Sequence, residues 1–136
     1  MRNVRYDHKR RDSEYWISSR DFRLAYAYAL KYNEWSQEAE ALGGMKAVNY
    51  DGMPHGNSVG NPTESTGIKI AELLEKIRKI DNALHEAAPE IENWLKMYVT
   101  NEDITFDMLK ARGIPCERAM FYNRRMKFYY LLSQRI

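Results

Sequence analysis

Apolar residues three and four apart run through most of the chain, the spacing of helices that bury one face. The clearest run is "PTESTGIKIAELLEKIRKIDNALHEAA" (62–88), where Ile70, Leu73, Ile77, Ile80, Leu84 and Ala87 form a heptad seam. Lys69, Glu72, Glu75, Lys76, Arg78 and Lys79 cover the remaining surface. So narrow a stripe predicts a partner helix. Residues 19–42 could supply it as the other arm of an antiparallel hairpin, or a second copy of the chain could pair through 62–88 as a homo-oligomer.

Residues 19–42 carry Phe22, Tyr26, Ala29 and Asn33 at helical spacing, with Ala25 and Leu30 beside them. Ser19 is placed to cap this helix, Asp21 favours its positive end, and Gly43 and Gly44 end it. Pro89 opens a third helix, 89–100, with Ile91, Trp94, Leu95 and Tyr98 on its apolar face. After the break at "NED", Thr105 caps a short helix over 106–112, with Ile104 and Leu109 as a hydrophobic staple, and Gly113 stops it. A last helix is predicted from about Cys116 almost to the end. Leu109, Ile114, Phe121, Phe128, Leu131 and Leu132 are the candidate buried residues of this pair, while either Ala119 and Tyr122 or Met120 and Asn123 face inward.

The expected fold class is therefore all-α: a helical hairpin with a long connecting loop, followed by a C-terminal helix-turn-helix module. The expected division is a basic arm at 1–11, a helical body at 12–100 (helices near 19–42, 62–88 and 89–100) and the module at 101–136.

The loop over 45–61 lies between the hairpin arms. Its stretch "DGMPHGNSVGNPTESTG" (51–67) is rich in glycine and proline but lacks the GKS or GKT of a phosphate-binding loop. Its end is a helix start, with Asn61 as N-cap, Pro62 at the first helical position and Glu64 completing a capping box. His55 has no second histidine or cysteine at ligand spacing, and His8 and His85 lie far away in sequence. The loop reads as a joint. No metal or cofactor is expected, and with no nucleophile motif and no paired histidine and carboxylate, neither is an enzyme.

Cys116 is the only cysteine, which excludes an internal disulfide and a cysteine-based zinc cage. The longest apolar run near the C-terminus, "FYYLL" (128–132), is far short of a membrane span. The basic start "MRNVRYDHKRR" has no apolar stretch behind it, so no secretory signal is expected.

Charge is unevenly spread although the net value is only +2. Residues 1–11 hold five Lys and Arg against one Asp, and 117–136 hold five against one Glu, leaving an acidic middle. Two basic ends on an acidic body predict contact with a polyanion. The C-terminal segment supplies the means. A short helix, a glycine turn and a helix dense in arginine and aromatics follow the helix-turn-helix plan, whose second helix fits the major groove of duplex DNA. Arg118, Tyr122 and Arg125 share one face at i, i+4 and i+7 and are the candidate base readers. Arg124 and Lys127 lie off that line and are candidate phosphate contacts. Arg2, Arg5, Lys9, Arg10 and Arg11 of the arm could add phosphate contacts or enter a minor groove.

"YDGMPHGNSVGNPTESTGIKIAEL" followed by "LKARGIPCERAMFYNRRMKFYYLLSQRI" resembles small phage late-gene transcriptional regulators of the RinA/ArpU type. The loop "DGMPHG…DPT" before an amphipathic helix is similar to theirs, with Asn61 where aspartate is usual, and "YWISSRDF" and "YNEW" resemble their aromatic-rich helix. The turn "GIPCERAMFYNRR" departs from their usual form. The resemblance implies a helix-turn-helix like that of sigma-factor region 4, double-stranded DNA as partner, a role in transcription from a phage or prophage, and the cytoplasm of a bacterial host. Two other expectations stay open: a small terminase-like DNA-packaging subunit, and a helical protein-interaction module that binds host RNA polymerase.

Overall fold

The computed structural model describes residues 14–43 and 64–136, and every regular element among them is helical. Helix α1 spans Ser19–Leu30, α2 Tyr32–Ala41, α3 Glu64–Ala87, α4 Glu92–Val99, α5 Phe106–Ala111 and α6 Arg118–Ser133. No helix among the described residues is long and apolar enough to cross a membrane. The basic arm 1–11, the loop 45–61 with His55, and the expected capping residues Asn61 and Pro62 lie outside the described residues.

Local chemistry sets most helix ends where the sequence placed them. Thr105 Oγ1 accepts from the Met108 N–H at 3.2 Å and starts α5. Gly43 (φ 93°) and Gly113 (φ 99°) take the left-handed backbone that follows α2 and α5, a conformation costly for any residue with a Cβ. At α1 the cap is Ser18, not Ser19. The extended backbone of Ser18 lets its Oγ accept from the Asp21 N–H at 3.1 Å while its carbonyl accepts from Phe22. Pro89 opens a 3-10 turn, Pro89–Ile91, and the α-helix proper begins only at Glu92.

The helix expected over 19–42 is two helices. At Lys31 the N–H reaches back to the Tyr28 carbonyl at 3.1 Å, a 3-10 type bond that tightens the turn and ends α1. Among the described residues the chain also divides into two compact units at this point: 14–31 with 79–136, and 32–43 with 64–78. Residues of α1 and the end of α3 belong with α4, α5 and α6, because the α1 rings pack on α6.

In the smaller unit, α2 and the first part of α3 run antiparallel. Lys76 Nζ lies 5.1 Å from the Trp35 ring centre, and Lys69 Nζ lies 3.3 Å from Glu38, so a step up α2 is a step down α3. Trp35, Ala39 and Leu73 are its buried residues.

The larger unit holds most of the buried apolar residues. Ile80, Ala83, Leu84 and Ala87 from the end of α3 are buried, as are Ile91, Leu95 and Val99 around α4 and Phe121, Phe128, Tyr129 and Leu132 on α6. Lys96 and Asp81 form an ion pair at 3.3 Å between α4 and α3. The heptad seam is thus core at Ile80 and Leu84 and only half-buried at Ile77.

Ile80 is fully buried, so Ile80→Ala should lower unfolding free energy by about 2–5 kcal/mol, through lost transfer energy and a residual cavity. Urea denaturation followed by circular dichroism measures this. A loss below about 1 kcal/mol would mean that the α3 seam is not core at this point.

Candidate nucleic-acid interface

Residues 112–117 connect α5 to α6. A Cβ at Gly113 would meet nothing within 4 Å, so backbone conformation rather than space selects glycine there. Ile114 anchors the connection: its side chain is buried and its N–H donates to the Leu109 carbonyl at 3.1 Å. The last helix begins at Arg118, two residues later than the expected start near Cys116. Glu117 is its extended capping residue (φ −90°, ψ 167°), and the Glu117 carbonyl accepts the first helical bond from Phe121 at 3.0 Å. Pro115 helps set this delay, since proline favours extended backbone before it and cannot donate. Cys116 is left half-buried in the connection. Burial raises its thiol pKa, against the lowering effect of Lys110 and Arg124 nearby.

Helix α6 is seated in the core from its first turn, where Phe121 is fully buried. Glu117, Arg118 and Ala119 are exposed, whereas Phe128, Tyr129 and Leu132 are buried. The stripe Arg118–Tyr122–Arg125, expected to face outward, lies on the side that packs against other helices. Arg118 Cζ sits 4.9 Å from the Phe106 ring centre. Tyr122 is half-buried between Phe106 (6.2 Å) and Phe121 (5.3 Å). Burial and then the neighbouring Tyr98 raise its hydroxyl pKa.

Arg125 goes furthest inward. Its guanidinium carbon lies 5.5–5.9 Å from the centres of Phe22, Tyr98, Tyr122 and Tyr129, and its Nε is buried without a hydrogen-bond partner. A flat, weakly hydrated guanidinium lies against ring faces at a lower desolvation cost than a strongly hydrated ammonium. Arg125 is thus half-buried and held among the rings, with its Nε inside.

The other candidates are distributed around the helix. Arg124 pairs with Glu90 at 3.3 Å and donates to Asn123 Oδ1 at 2.8 Å. The Glu90 carboxyl is held low by its own backbone N–H and by Arg124. Lys127 lies over Tyr15 at 5.6 Å. Arg118 alone of the three base-reader candidates reaches the open surface, where its Nη2 donates to Asp107 Oδ1 at 2.7 Å.

Three further exposed residues flank this end: Lys110 and Arg112 near the turn, and Asn123 one turn into α6. Sequence spacing gave no priority to them, although Lys110 and Arg112 bracket the glycine turn. On the opposite end of α6, Leu24, Tyr28, Asp21, Ser133 and Ile136 line an open cavity of about 360 Å³, and Leu24 and Ile136 are both exposed. Among the described residues no cluster of His, Cys, Asp and Glu is placed to hold a metal ion.

No protein-family model matches the chain, and no curated protein or solved structure matches it.

The two arginines at the ends of the stripe should behave differently when truncated. Arg125→Ala should lower stability by about 2 kcal/mol, because the rings lose a half-buried cation and its packing. Arg125→Lys should recover little of that. Arg118→Ala removes an exposed ion pair and should cost less than about 1 kcal/mol. Thermal melts of the three variants test this, and equal losses at Arg118 and Arg125 would contradict the inward placement of Arg125.

Proposed function

We propose that this chain is a sequence-specific DNA-binding protein that regulates transcription in a bacterial cytoplasm, of the kind found among the phage late-gene regulators it resembles. One observation carries the reading. Helix α6 is fixed in the core along its length by Phe121, Phe128, Tyr129 and Leu132, while the outward side of its first turn, at Arg118 and Ala119, stands exposed beyond a glycine turn, with Lys110 and Arg112 beside it. A helix held this way can put its N-terminal turn into a major groove, where recognition helices make their base contacts. Arg118 and Asn123 are then the base-reading side chains, since arginine suits guanine and asparagine suits adenine. Lys110 and Arg112 meet phosphates. Arg124 and Lys127 can join them by exchanging Glu90 and Tyr15 for phosphate oxygens, and the arm residues Arg2, Arg5, Lys9, Arg10 and Arg11 supply further charge.

A specific observation also favours a second reading, a helical module that binds another protein such as host polymerase. Leu24 and Ile136 are large, apolar and exposed on the walls of one cavity. A protein partner would bury them, and DNA would not.

Titrating a labelled duplex at several salt concentrations separates the two. DNA binding predicts that log affinity falls linearly with log salt, with a slope of about 0.9 per phosphate contact. The double variant Lys110→Ala, Arg112→Ala should flatten the slope by about 2, and deleting residues 1–11 should flatten it further while weakening binding to every sequence. An affinity independent of salt, or no duplex binding at all, would overturn the reading and leave the protein-binding one.

A further inference from the structure

Arg118 is restrained on two sides. Its guanidinium lies over the Phe106 ring at 4.9 Å, and one edge is held by Asp107 at 2.7 Å. Phe106 itself is buried, and it meets Phe121 at 5.0 Å, so the platform under the guanidinium is fixed to the core. Asp107 and Arg118 remain open to solvent, with 82% and 58% of their side chains exposed. An arginine has five N–H donors, and Asp107 engages one of its nitrogens. The other nitrogens belong to a side chain that is largely exposed and already restrained, and that would otherwise lose much rotamer freedom on binding.

The charge of this arrangement selects what it can bind. Arginine alone attracts any phosphate. Arginine with a carboxylate 2.7 Å away is close to neutral, and the carboxylate repels a phosphate oxygen that approaches the same edge. A neutral base edge with two acceptors suffers no such repulsion. In the major groove guanine offers O6 and N7 together, the geometry that arginine reads with two parallel bonds. The second oxygen of Asp107 can accept from a cytosine amino group, the one major-groove donor of a G·C pair.

We infer that Asp107 and Arg118 form a guanine-reading pair, in which Arg118 contacts the base and Asp107 is the positioning residue that makes the contact selective. This rests on the duplex-binding reading above and adds the base and the residue that sets the preference. Removing Asp107 should not abolish binding. It should free Arg118 for phosphates, so that non-specific affinity rises while discrimination falls.

The test uses the full chain and a library of duplexes with a randomised core. The selected duplex is then remade with 7-deazaguanine at each guanine, which removes N7 and leaves base pairing intact. The wild type should lose about tenfold in affinity at one guanine, and Arg118→Ala should be indifferent to that replacement. Asp107→Ala should bind an unselected duplex more tightly, lose about tenfold in preference for the selected one, and show a salt slope steeper by about one. Asp107→Asn keeps the shape and one acceptor oxygen and should fall between the two. Melting curves should be unchanged, because both side chains are exposed. If Asp107→Ala keeps the full preference, or no guanine is sensed through Arg118, the pair is not the reader even though salt-dependent duplex binding stands. If the wild type binds no duplex, the DNA-binding reading fails and this inference fails with it.

Discussion

Phe22, Tyr98 and Phe106 come from three different helices, and each meets a ring of α6: Phe22 packs on Tyr129, and Tyr98 and Phe106 both pack on Phe121, all at 5.0 Å. Edge-on and tilted ring pairs of this kind add about 0.5–1.5 kcal/mol each beyond the area they bury. They also fix rotation, since a quadrupole prefers an edge to a face. Helix α6 is therefore held about its own axis as well as against its neighbours. Tyr26 extends the contact, meeting Tyr129 at 6.2 Å and donating to Glu102 at 3.4 Å. Once those rings are set, the direction of every other α6 side chain follows, including which arginine is inside and which is out.

The same rings change how the basic end of the chain should be weighed. By sequence, 117–136 is a strongly positive segment. In the structure much of that charge is answered locally. Arg124 pairs with Glu90, Arg135 with Glu86 and Arg118 with Asp107, while Arg125 lies among aromatic faces. Exposed pairs of this sort contribute at most about 1 kcal/mol, so a competing polyanion can exchange them at little cost. What distinguishes the exposed end of α6 is thus less an excess of charge than its geometry: a short helix, a glycine turn and a first turn that seats Phe121 in the core and leaves Arg118 and Ala119 exposed.

The elements were largely legible in the sequence, because their signals are local. Thr105 caps α5, Gly113 ends it, and the three-and-four spacing of Ile80, Leu84 and Ala87 marks a buried helix face. The break at Lys31 was not legible. It involves one residue, no glycine or proline marks it, and a long helix and two short ones share the same periodicity there. The face of α6 misled for a different reason. A polar-versus-apolar pattern counts arginine and tyrosine as outward, but both have flat, weakly hydrated faces that can be buried against rings. The usable signal was on other helices: Phe22, Tyr26, Tyr98 and Phe106 are aromatic side chains able to receive those faces. Which pairs meet is a tertiary fact, so one-dimensional spacing could place Arg118 and Arg125 on one stripe without saying that the stripe runs into the core.

That stripe links the open end of α6 to its buried end. Arg118 rests on Phe106, Phe106 and Tyr122 meet Phe121, and Tyr122 lies beneath Arg125, whose other faces touch Phe22 and Tyr129. Each link is a contact between rigid planar groups, so a shift at one end cannot be absorbed by rotamer change midway. On the proposed reading, this rigidity matters more for discrimination than for affinity. A flexible arginine on a mobile helix tip would satisfy any nearby phosphate, and its binding would follow charge alone. An arginine whose plane is set by a buried ring, and whose edge is set by a carboxylate, can bond well only where two acceptors stand at one spacing. Selectivity then comes from the core packing that orients the side chain, because the wrong base leaves oriented donors unmet instead of letting them turn elsewhere.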